Sequence, residues 1–147
     1  MCMKKFKPEE AGLALLVDKI NNKGVKVASK ELIEEILNKN IDGIVGYIRT
    51  ACEDQYGIAI RNQKEEILEF CKKYNINCKE LFIDNGYSGL NFNRPGIKKI
   101  TENSKYKVVL VKDLSRFSRD YIGTSKYIED NKKIILSIID SSIWRWD

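Results

Sequence analysis

From Ile44 onward, short apolar runs alternate with longer amphipathic stretches, and this alternation limits the folds that the chain can adopt. The apolar runs predict strands at residues 44–48, 78–83, 107–111 and 134–139. The stretches between them have apolar residues at helical spacing, at residues 61–74, 95–103 and 121–130. Strands and helices that alternate at this spacing predict an α/β fold, with a mainly parallel open sheet and flanking helices.

The first 43 residues follow a different pattern and predict a short extension of two helices. Pro8 suits the first position of a helix, and apolar residues recur at helical spacing between Leu13 and Ile20. Ser29 can cap a second helix that ends before Gly43. We therefore expect a helical extension over residues 1–43, with a packing or protein-contact role, and a catalytic-type domain over residues 44–147.

Composition excludes some classes of site and leaves others open. The sequence has four cysteines but no CxxC pair and no histidine, which excludes a zinc site and a histidine general base. It also lacks an uninterrupted apolar stretch of secretory or membrane-spanning length, so we expect a cytoplasmic protein with reduced thiols. The net charge of +5 permits nucleic-acid binding without indicating it. No metal or cofactor is predicted.

Three polar segments follow predicted strands, at residues 47–55, 84–96 and 112–120. In an open α/β sheet, ligands bind beyond the carboxyl ends of the strands, so these segments predict the site. They contribute four arginines, namely Arg49, Arg94, Arg116 and Arg119. Because the guanidinium fork matches phosphate oxygens and keeps its charge, such a cluster predicts binding to a phosphodiester.

Two further expectations concern this cluster. A helix predicted to open near Ser118 would supply backbone donors and would place Arg116 and Arg119 on one helical face. The aspartates among the arginines are expected to orient or neutralise them rather than to bind metal. These are Asp54, Asp84, Asp113 and Asp120. The sequence contains no Walker loop, and no GxGxxG follows the first strand, so it gives little support to nucleotide binding.

The order of these motifs resembles the catalytic domain of the resolvase/invertase serine recombinases. The matching blocks are Tyr-x-Arg at Tyr47, Gln63 at a helix start, Asp-x-Gly-x-Ser-Gly with Arg-Pro-Gly from Asp84 to Gly96, and the block from Val111 to Ile122. The last block is most similar to the large transposon-type members. The resemblance implies a Rossmann-like catalytic domain and a metal-free reaction, in which a serine hydroxyl attacks a DNA phosphate and frees a 3′ hydroxyl.

By position in the motifs, the resemblance assigns roles to individual residues. Arg49, Arg94, Arg116 and Arg119 would bind the DNA phosphate, and Tyr47, Gln55, Asp84 and Ser88 would support the catalytic site. The nucleophile position is vacant, because the family motif Tyr-x-Arg-x-Ser ends here in Ala51. A methyl group cannot attack phosphorus. We therefore expect a cleavage-defective protein, a pseudoenzyme within a family of DNA-recombining enzymes.

Several alternatives to this interpretation remain open. Thr50 or Cys52 could replace the missing nucleophile, although both would point away from the vacant position on an extended segment. Ser88, Ser115 and Ser118 lie in the same segments, and an engineered alanine is a further explanation of position 51. The sequence after Asp140 carries neither a long dimerisation helix nor a DNA-reading domain, which predicts truncation after the fourth strand.

Three functions follow from these observations. The first is a DNA-interacting relic of a mobile element, or a modulator that associates with itself or with another recombinase subunit. The second is a protein-interaction module that does not bind DNA. The third is an active recombinase with a substitute nucleophile.

Overall fold

The structure is a computed structural model, and it describes residues 25–146. One sheet of six strands runs through it, in the order β1-β6-β5-β4-β2-β3. The strands are β1 (Val25–Val27), β2 (Ile44–Thr50), β3 (Leu81–Asn85), β4 (Val108–Val111), β5 (Ile134–Ser137) and β6 (Ser142–Trp144). Strands β2 to β5 are parallel, whereas β6 and β1 are antiparallel to their neighbours. This arrangement confirms the predicted α/β fold with a mainly parallel sheet.

Within the described residues, five helices flank the sheet, and most begin at a recognisable capping signal. They are α1 (Lys30–Lys39), α2 (Ile58–Lys73), α3 (Pro95–Glu102), α4 (Leu114–Phe117) and α5 (Tyr121–Asn131). The Ser29 hydroxyl accepts a hydrogen bond from the Leu32 N–H, as expected of the residue that caps α1. Pro95 occupies the first turn of α3, where its missing N–H costs nothing. No described helix is long and apolar enough to cross a membrane.

Alternate residues of the central strands pack on opposite faces of the sheet, which gives two cores. On one face, Ile44 and Ile48 of β2 pack in a cluster with residues of α1 and α2, including Ile67. On the other face, Val45 and Tyr47 pack in a cluster with residues of α3, α4 and α5. Both faces of β2 are thus buried, which explains why its sequence is apolar almost throughout rather than alternating.

Residues 25–43 are part of this architecture. Strand β1 pairs with β6 at the edge of the sheet, and helix α1 buries Ile33, Ile36 and Leu37 in the first core. The second predicted helix of the extension is therefore confirmed, but the segment before it forms a strand. The first predicted helix, over Pro8 to Ile20, lies outside the described residues. The proposed division of the chain at residue 43 remains a prediction.

The sheet does not stop at the fourth predicted strand. After β5 the chain turns through Ser141, which has a φ of 56°, and returns as β6 beside β5. Trp144 on this strand is 2 % exposed and stacks on Tyr121, with ring centroids 5.7 Å apart. The predicted end of the sheet after residues 134–139 is therefore wrong, because the short run Ser142–Trp144 completes the edge and fills the second core.

Candidate functional site

The three polar segments lie at the carboxyl ends of β2, β3 and β4, as the sequence predicts. Arg49 and Thr50 at the end of β2 are in register with Asp84 and Asn85 at the end of β3. Strand β4 lies on the other side of β2 and leads directly into α4. The carboxyl ends of these strands therefore carry the segment at residues 47–51, the glycine-containing loop and the arginine-containing loop.

Tyr47, Asp84 and Arg94 form a buried cluster at this edge. The Tyr47 hydroxyl donates a 2.7 Å hydrogen bond to Asp84 Oδ2, and Arg94 Nη1 donates a 2.9 Å hydrogen bond to the Tyr47 hydroxyl oxygen. Burial raises the pKa of the Tyr47 phenol, and the nearby Asp84 carboxylate raises it further. The phenol therefore remains a neutral donor that links the carboxylate to the guanidinium.

The Asp84 carboxylate also anchors the start of α3. Its Oδ1 accepts a 2.8 Å hydrogen bond from the Gly96 N–H, and its Oδ2 lies 3.3 Å from the Ile97 nitrogen as acceptor. A Cβ at position 96 would lie 2.9 Å from Asp84 Oδ2, so the close approach requires glycine there. Arg94, next to this helix start, is completely buried, and its Nη2 lacks a hydrogen-bond partner among the described residues.

Arg49 is 2 % exposed and donates to three backbone carbonyls. Its Nε and Nη2 donate to Arg116 O at 2.9 Å and Ser115 O at 2.6 Å, and its Nη1 donates to Tyr87 O at 2.9 Å. Arg49 thereby ties the end of β2 to α4 and to the loop after β3. These bonds leave it few free donors in this conformation.

The electrostatic surroundings of Arg49 show that the four predicted arginines converge. Burial lowers the pKa of Arg49 to about 10, and the positive charges of Arg94, Arg116 and Arg119 contribute to the decrease. Like charges at this range repel, and an anion placed among them would relieve the repulsion. The cluster is therefore a positively charged region that is already built into the sheet edge.

Arg116 and Arg119 are the more accessible members of the cluster, and both are partly exposed. Arg116 Nε lies 3.8 Å from Asp113 Oδ2, and its Nη1 lies 3.5 Å from the Arg49 carbonyl oxygen. The backbone N–H of Arg119 donates a 2.7 Å hydrogen bond to the Gly89 carbonyl. These two side chains offer the most direct contact to an incoming ligand.

The helix predicted over residues 121–130 is confirmed as α5, but the expectation that it opens as early as Ser118 is wrong. Helix α4 ends at Phe117, and α5 begins at Tyr121 after its capping residue Asp120. Arg116 and Arg119 therefore lie on separate elements, one in α4 and one in the connection, rather than on one helical face. The cause is local, because the buried Ser118 hydroxyl accepts a hydrogen bond from the Asp120 N–H and holds the connection extended.

Ala51 lies on an exposed loop directly after β2. The neighbouring Thr50 is buried, and its hydroxyl donates to Asn85 Oδ1 at 2.7 Å while accepting from the Gly86 N–H at 2.9 Å. Asn85 Oδ1 also accepts a 2.7 Å hydrogen bond from the Asp54 N–H, which fixes the loop. Thr50 is thus committed to structure, whereas Cys52 is an exposed free thiol.

The structure does not bring every predicted residue into the buried network. Gln55 and Ser88 are exposed on loops, and the Ser88 hydroxyl accepts a hydrogen bond from the Leu90 N–H. Of the four aspartates expected to orient arginines, Asp113 pairs with Arg116, and its carboxylate also accepts from the Ser115 hydroxyl. Asp54 and Asp120 instead accept hydrogen bonds from helix-start N–H groups. Within residues 25–146, no three His, Cys, Asp or Glu side chains are grouped to hold a metal ion.

Two positioning residues at this edge were not assigned roles from the sequence. Gln63 of α2 is 1 % exposed, and its side chain makes two hydrogen bonds to the Arg49 backbone. The available signal was its place four residues before Ile67, on the inward stripe of the helix. Asn85 connects the Ala51 loop to β3, and its only signal was its place at the end of a strand.

Comparisons with known proteins agree with this geometry. The catalytic domain of TP901-1 integrase superposes with a TM-score of 0.61 at 22% sequence identity, over 67% of this chain and 79% of that one. A resolvase family site-specific recombinase from Streptococcus pneumoniae gives a TM-score of 0.55 at 22% identity, over 67% and 73% of the two chains.

The catalytic domain of ISC1926 TnpA, an IS607-like serine recombinase, gives a TM-score of 0.55 at 23% identity, over 65% of this chain and 67% of that one. These likenesses show a shared fold. No curated protein matches the sequence. The family model described as "Resolvase, N terminal domain" matches residues 44–143, which is more than half of the chain, and the protein therefore belongs to the resolvase family.

Proposed function

We propose that this protein is a DNA-interacting domain of the serine-recombinase type and that, with alanine at position 51, it does not cleave DNA. The observation that carries the proposal is the combination of four converging arginines with a methyl group, at Ala51, in the position where the family motif has serine. The proposed ligand is the phosphate backbone of DNA. The segment from Val111 to Ile122 favours the large transposon-type members as relatives, and hence a mobile-element origin.

The charge and burial of the arginines support a phosphate ligand. Arg116 and Arg119 are partly exposed and would meet a phosphate first, whereas Arg49 and Arg94 would contribute mainly through their field. The buried Arg49 and Arg94 guanidiniums carry two positive charges near the single negative charge of the buried Asp84 carboxylate, so a phosphate anion would lower the cost of burying them. Arg94 Nη2 has no hydrogen-bond partner among the described residues, so the positive charge of this buried guanidinium is only partly compensated and its field can act on an anion at the site.

DNA binding is tested by the salt dependence of affinity. We expect the natural chain to bind duplex DNA, with an affinity that decreases as salt increases. Arg116→Ala and Arg119→Ala should each weaken binding to every DNA sequence by a similar factor. Each should also reduce the slope of log affinity against log salt concentration by about one. Lys39→Ala is a matched control, because Lys39 is exposed in the last turn of α1, which leads into the amino end of β2 rather than its carboxyl end. If no DNA binding is found, or if both arginine variants bind like the control, this function is excluded.

Cleavage is tested separately on supercoiled plasmid. The natural chain should produce no nicked plasmid and no covalent protein–DNA band. If it does produce either, the substitute nucleophile can be identified by comparing Cys52→Ser with Thr50→Val. Ala51→Ser places a hydroxyl at the vacant position, and a gain of covalent adduct there would show that the surrounding phosphate site is competent.

One observation favours a second function, a protein-interaction module or modulator of another recombinase subunit. The Arg49 guanidinium is committed to three backbone carbonyls, so in this conformation it stabilises the edge rather than presenting donors. Under this function, Arg116→Ala would leave DNA binding unchanged or absent, while the protein would still co-purify with an active family member. Self-association of the purified protein is measured separately by light scattering.

We also propose a cytoplasmic location. It is supported by the free state of the described cysteines Cys52, Cys71 and Cys78.

A further inference from the structure

Cys71 and Cys78 form a thiol pair outside the candidate functional site. Their sulfur atoms are 3.6 Å apart, which is a contact distance. Cys71 lies in the last turn of α2, and Cys78 lies in the segment that leads into β3. Neither residue contributes to the arginine cluster or to the Ala51 loop, so the functional site described above does not explain why two thiols meet here.

The pair opens onto a cleft of about 540 Å³ that Lys72, Asn75, Asn77 and Glu80 line together with both cysteines. Cys71 is 5 % exposed and Cys78 is partly exposed, so the reactive atoms are reached through the cleft rather than from open solvent. Such access admits a small oxidant. By contrast, Cys52 is fully accessible but has no second thiol beside it in the described part of the chain.

The two sulfurs are chemically distinct. The contact with the Cys78 thiol lowers the pKa of Cys71 and, together with a contribution from the Cys78 backbone N–H, outweighs the opposite effect of burial. The same contact, together with burial, raises the pKa of Cys78. Cys71 is therefore the sulfur that ionises first, and Cys78 remains a thiol within reach of it. A thiolate beside a second thiol is the arrangement that oxidation to a disulfide requires.

We propose that Cys71 and Cys78 form a reversible redox modification site, which small peroxides oxidise to an intramolecular disulfide. The Cys71 thiolate attacks one peroxide oxygen, the O–O bond breaks, and the Cys71 sulfenic acid forms as hydroxide leaves and takes up a proton to become water. The Cys78 sulfur then attacks the Cys71 sulfur, the S–O bond breaks, and the Cys78 proton leaves with the hydroxyl as a second water. Two thiols are oxidised, and one hydrogen peroxide is reduced to two waters.

This proposal is independent of the proposed DNA function. The disulfide would tie the last turn of α2 to the segment that leads into β3, and both elements continue to the candidate site, through Gln63 and Asp84 respectively. Oxidation would therefore restrain α2 against β3 without introducing a group into the arginine cluster.

The test uses the full chain, reduced and then treated with hydrogen peroxide at a small molar excess. Differential alkylation followed by peptide mapping should show the Cys71 and Cys78 thiols disappearing together, and a linked peptide that is lighter by two hydrogen atoms. Dithiothreitol should restore both thiols. Cys52→Ser is the matched control and should give the same link at the same rate.

A second variant identifies the attacking sulfur. In Cys78→Ser, the intermediate cannot be resolved, so dimedone should trap a sulfenic acid on Cys71. Mapping of the natural chain does not depend on how any variant folds. The proposal is overturned if Cys52 is oxidised while Cys71 and Cys78 both remain free thiols, or if Cys78→Ser gives no dimedone adduct on Cys71.

Discussion

Gln63 holds the Arg49 backbone from both sides: its Oε1 accepts a 3.3 Å hydrogen bond from the Arg49 N–H, and its Nε2 donates a 3.0 Å hydrogen bond to the Arg49 carbonyl. This pair joins α2 to the end of β2, where the nucleophile motif lies. All of these groups are buried, so a hydrophobic replacement leaves polar backbone atoms with fewer partners. The position of Arg49 therefore depends on a helix residue fourteen positions away.

Gln63→Leu should lower the free energy of unfolding by about 1–3 kcal/mol, because two buried hydrogen bonds are lost together. Urea denaturation followed by circular dichroism measures this change. Gln55→Leu is the comparison, since Gln55 is exposed and should change the free energy of unfolding by less than about 0.5 kcal/mol. Equal stabilities of the two variants would contradict a structural role for Gln63.

Gly89→Ala should displace the Arg49 side chain. A Cβ at position 89 would lie 2.8 Å from Arg49 Nη2 and 3.0 Å from Arg119 Cγ. Arg49 cannot move without breaking its carbonyl hydrogen bonds, so we expect a loss of about 1–3 kcal/mol in the free energy of unfolding. Thermal denaturation against Ser88→Ala, an exposed neighbour, provides the measurement. If Gly89→Ala were as stable as Ser88→Ala, the Arg49 and Arg119 side chains could not be closely packed against Gly89.

Lys133 should make stability depend on pH in the alkaline range. Its side chain is 1 % exposed, and burial lowers its pKa to about 8, with a smaller contribution from Lys107. The neutral amine still has two N–H groups for its two acceptors, Asn103 O at 2.9 Å and Tyr106 O at 2.6 Å. The folded protein therefore accommodates deprotonation without losing these hydrogen bonds.

The sign of the effect follows from proton binding. Below pH 8 both states hold the proton, whereas between about 8 and 10.5 the unfolded chain holds a proton that the folded protein has released. The unfolding free energy should therefore increase by about 1–3 kcal/mol as pH rises through this window, relative to Lys133→Met. Urea midpoints measured from about pH 7.5 to pH 9.5 test this difference. Exposed Lys126→Met should retain the pH dependence of the natural chain.

Trp144→Ala should cost about 3–5 kcal/mol of unfolding free energy, because it removes a large buried ring from the second core. Trp146→Ala should cost less than about 1 kcal/mol, since Trp146 is 42 % exposed and its ring meets the Lys132 amine at 4.4 Å. Chemical denaturation compares the two. If both variants were equally stable, β6 would not be an integral strand.

The order of strands and helices could be predicted because apolar runs such as Val108–Val111 are buried on both faces and leave a plain signal. Strands β1 and β6 could not be predicted, because three residues with a polar start, such as Ser142–Trp144, are too short to show a period. Their pairing is a tertiary effect, because β6 adds to the edge of β5 and β1 then adds to β6.

The positions of the site residues could also be predicted in part. Sequence motifs placed Tyr47, Arg49, Asp84 and Arg94 at one edge, and the structure brings them together there. The motifs could not show which guanidinium N–H groups are free to bind a ligand. Arg49 donates to backbone carbonyls, which every residue has, so the side chains of its partners give no sign of these hydrogen bonds. The helix predicted over residues 121–130 is confirmed as α5, but the short helix α4 (Leu114–Phe117) before it was missed, because four residues are too few to show a helical period.

The antiparallel edge formed by β1 and β6 also determines where both ends of the described chain leave the sheet. Val25 is beside Trp144, and Trp144 is beside Ile135 near the start of β5. Both ends of the described chain therefore emerge at the amino ends of the parallel strands, whereas Arg49 and Arg116 lie at their carboxyl ends. A fluorophore, affinity tag or surface anchor attached after Trp146 would therefore start from the end of the sheet opposite to the arginines. Immobilised in this way, the protein would turn its positively charged face toward a nucleic acid in solution.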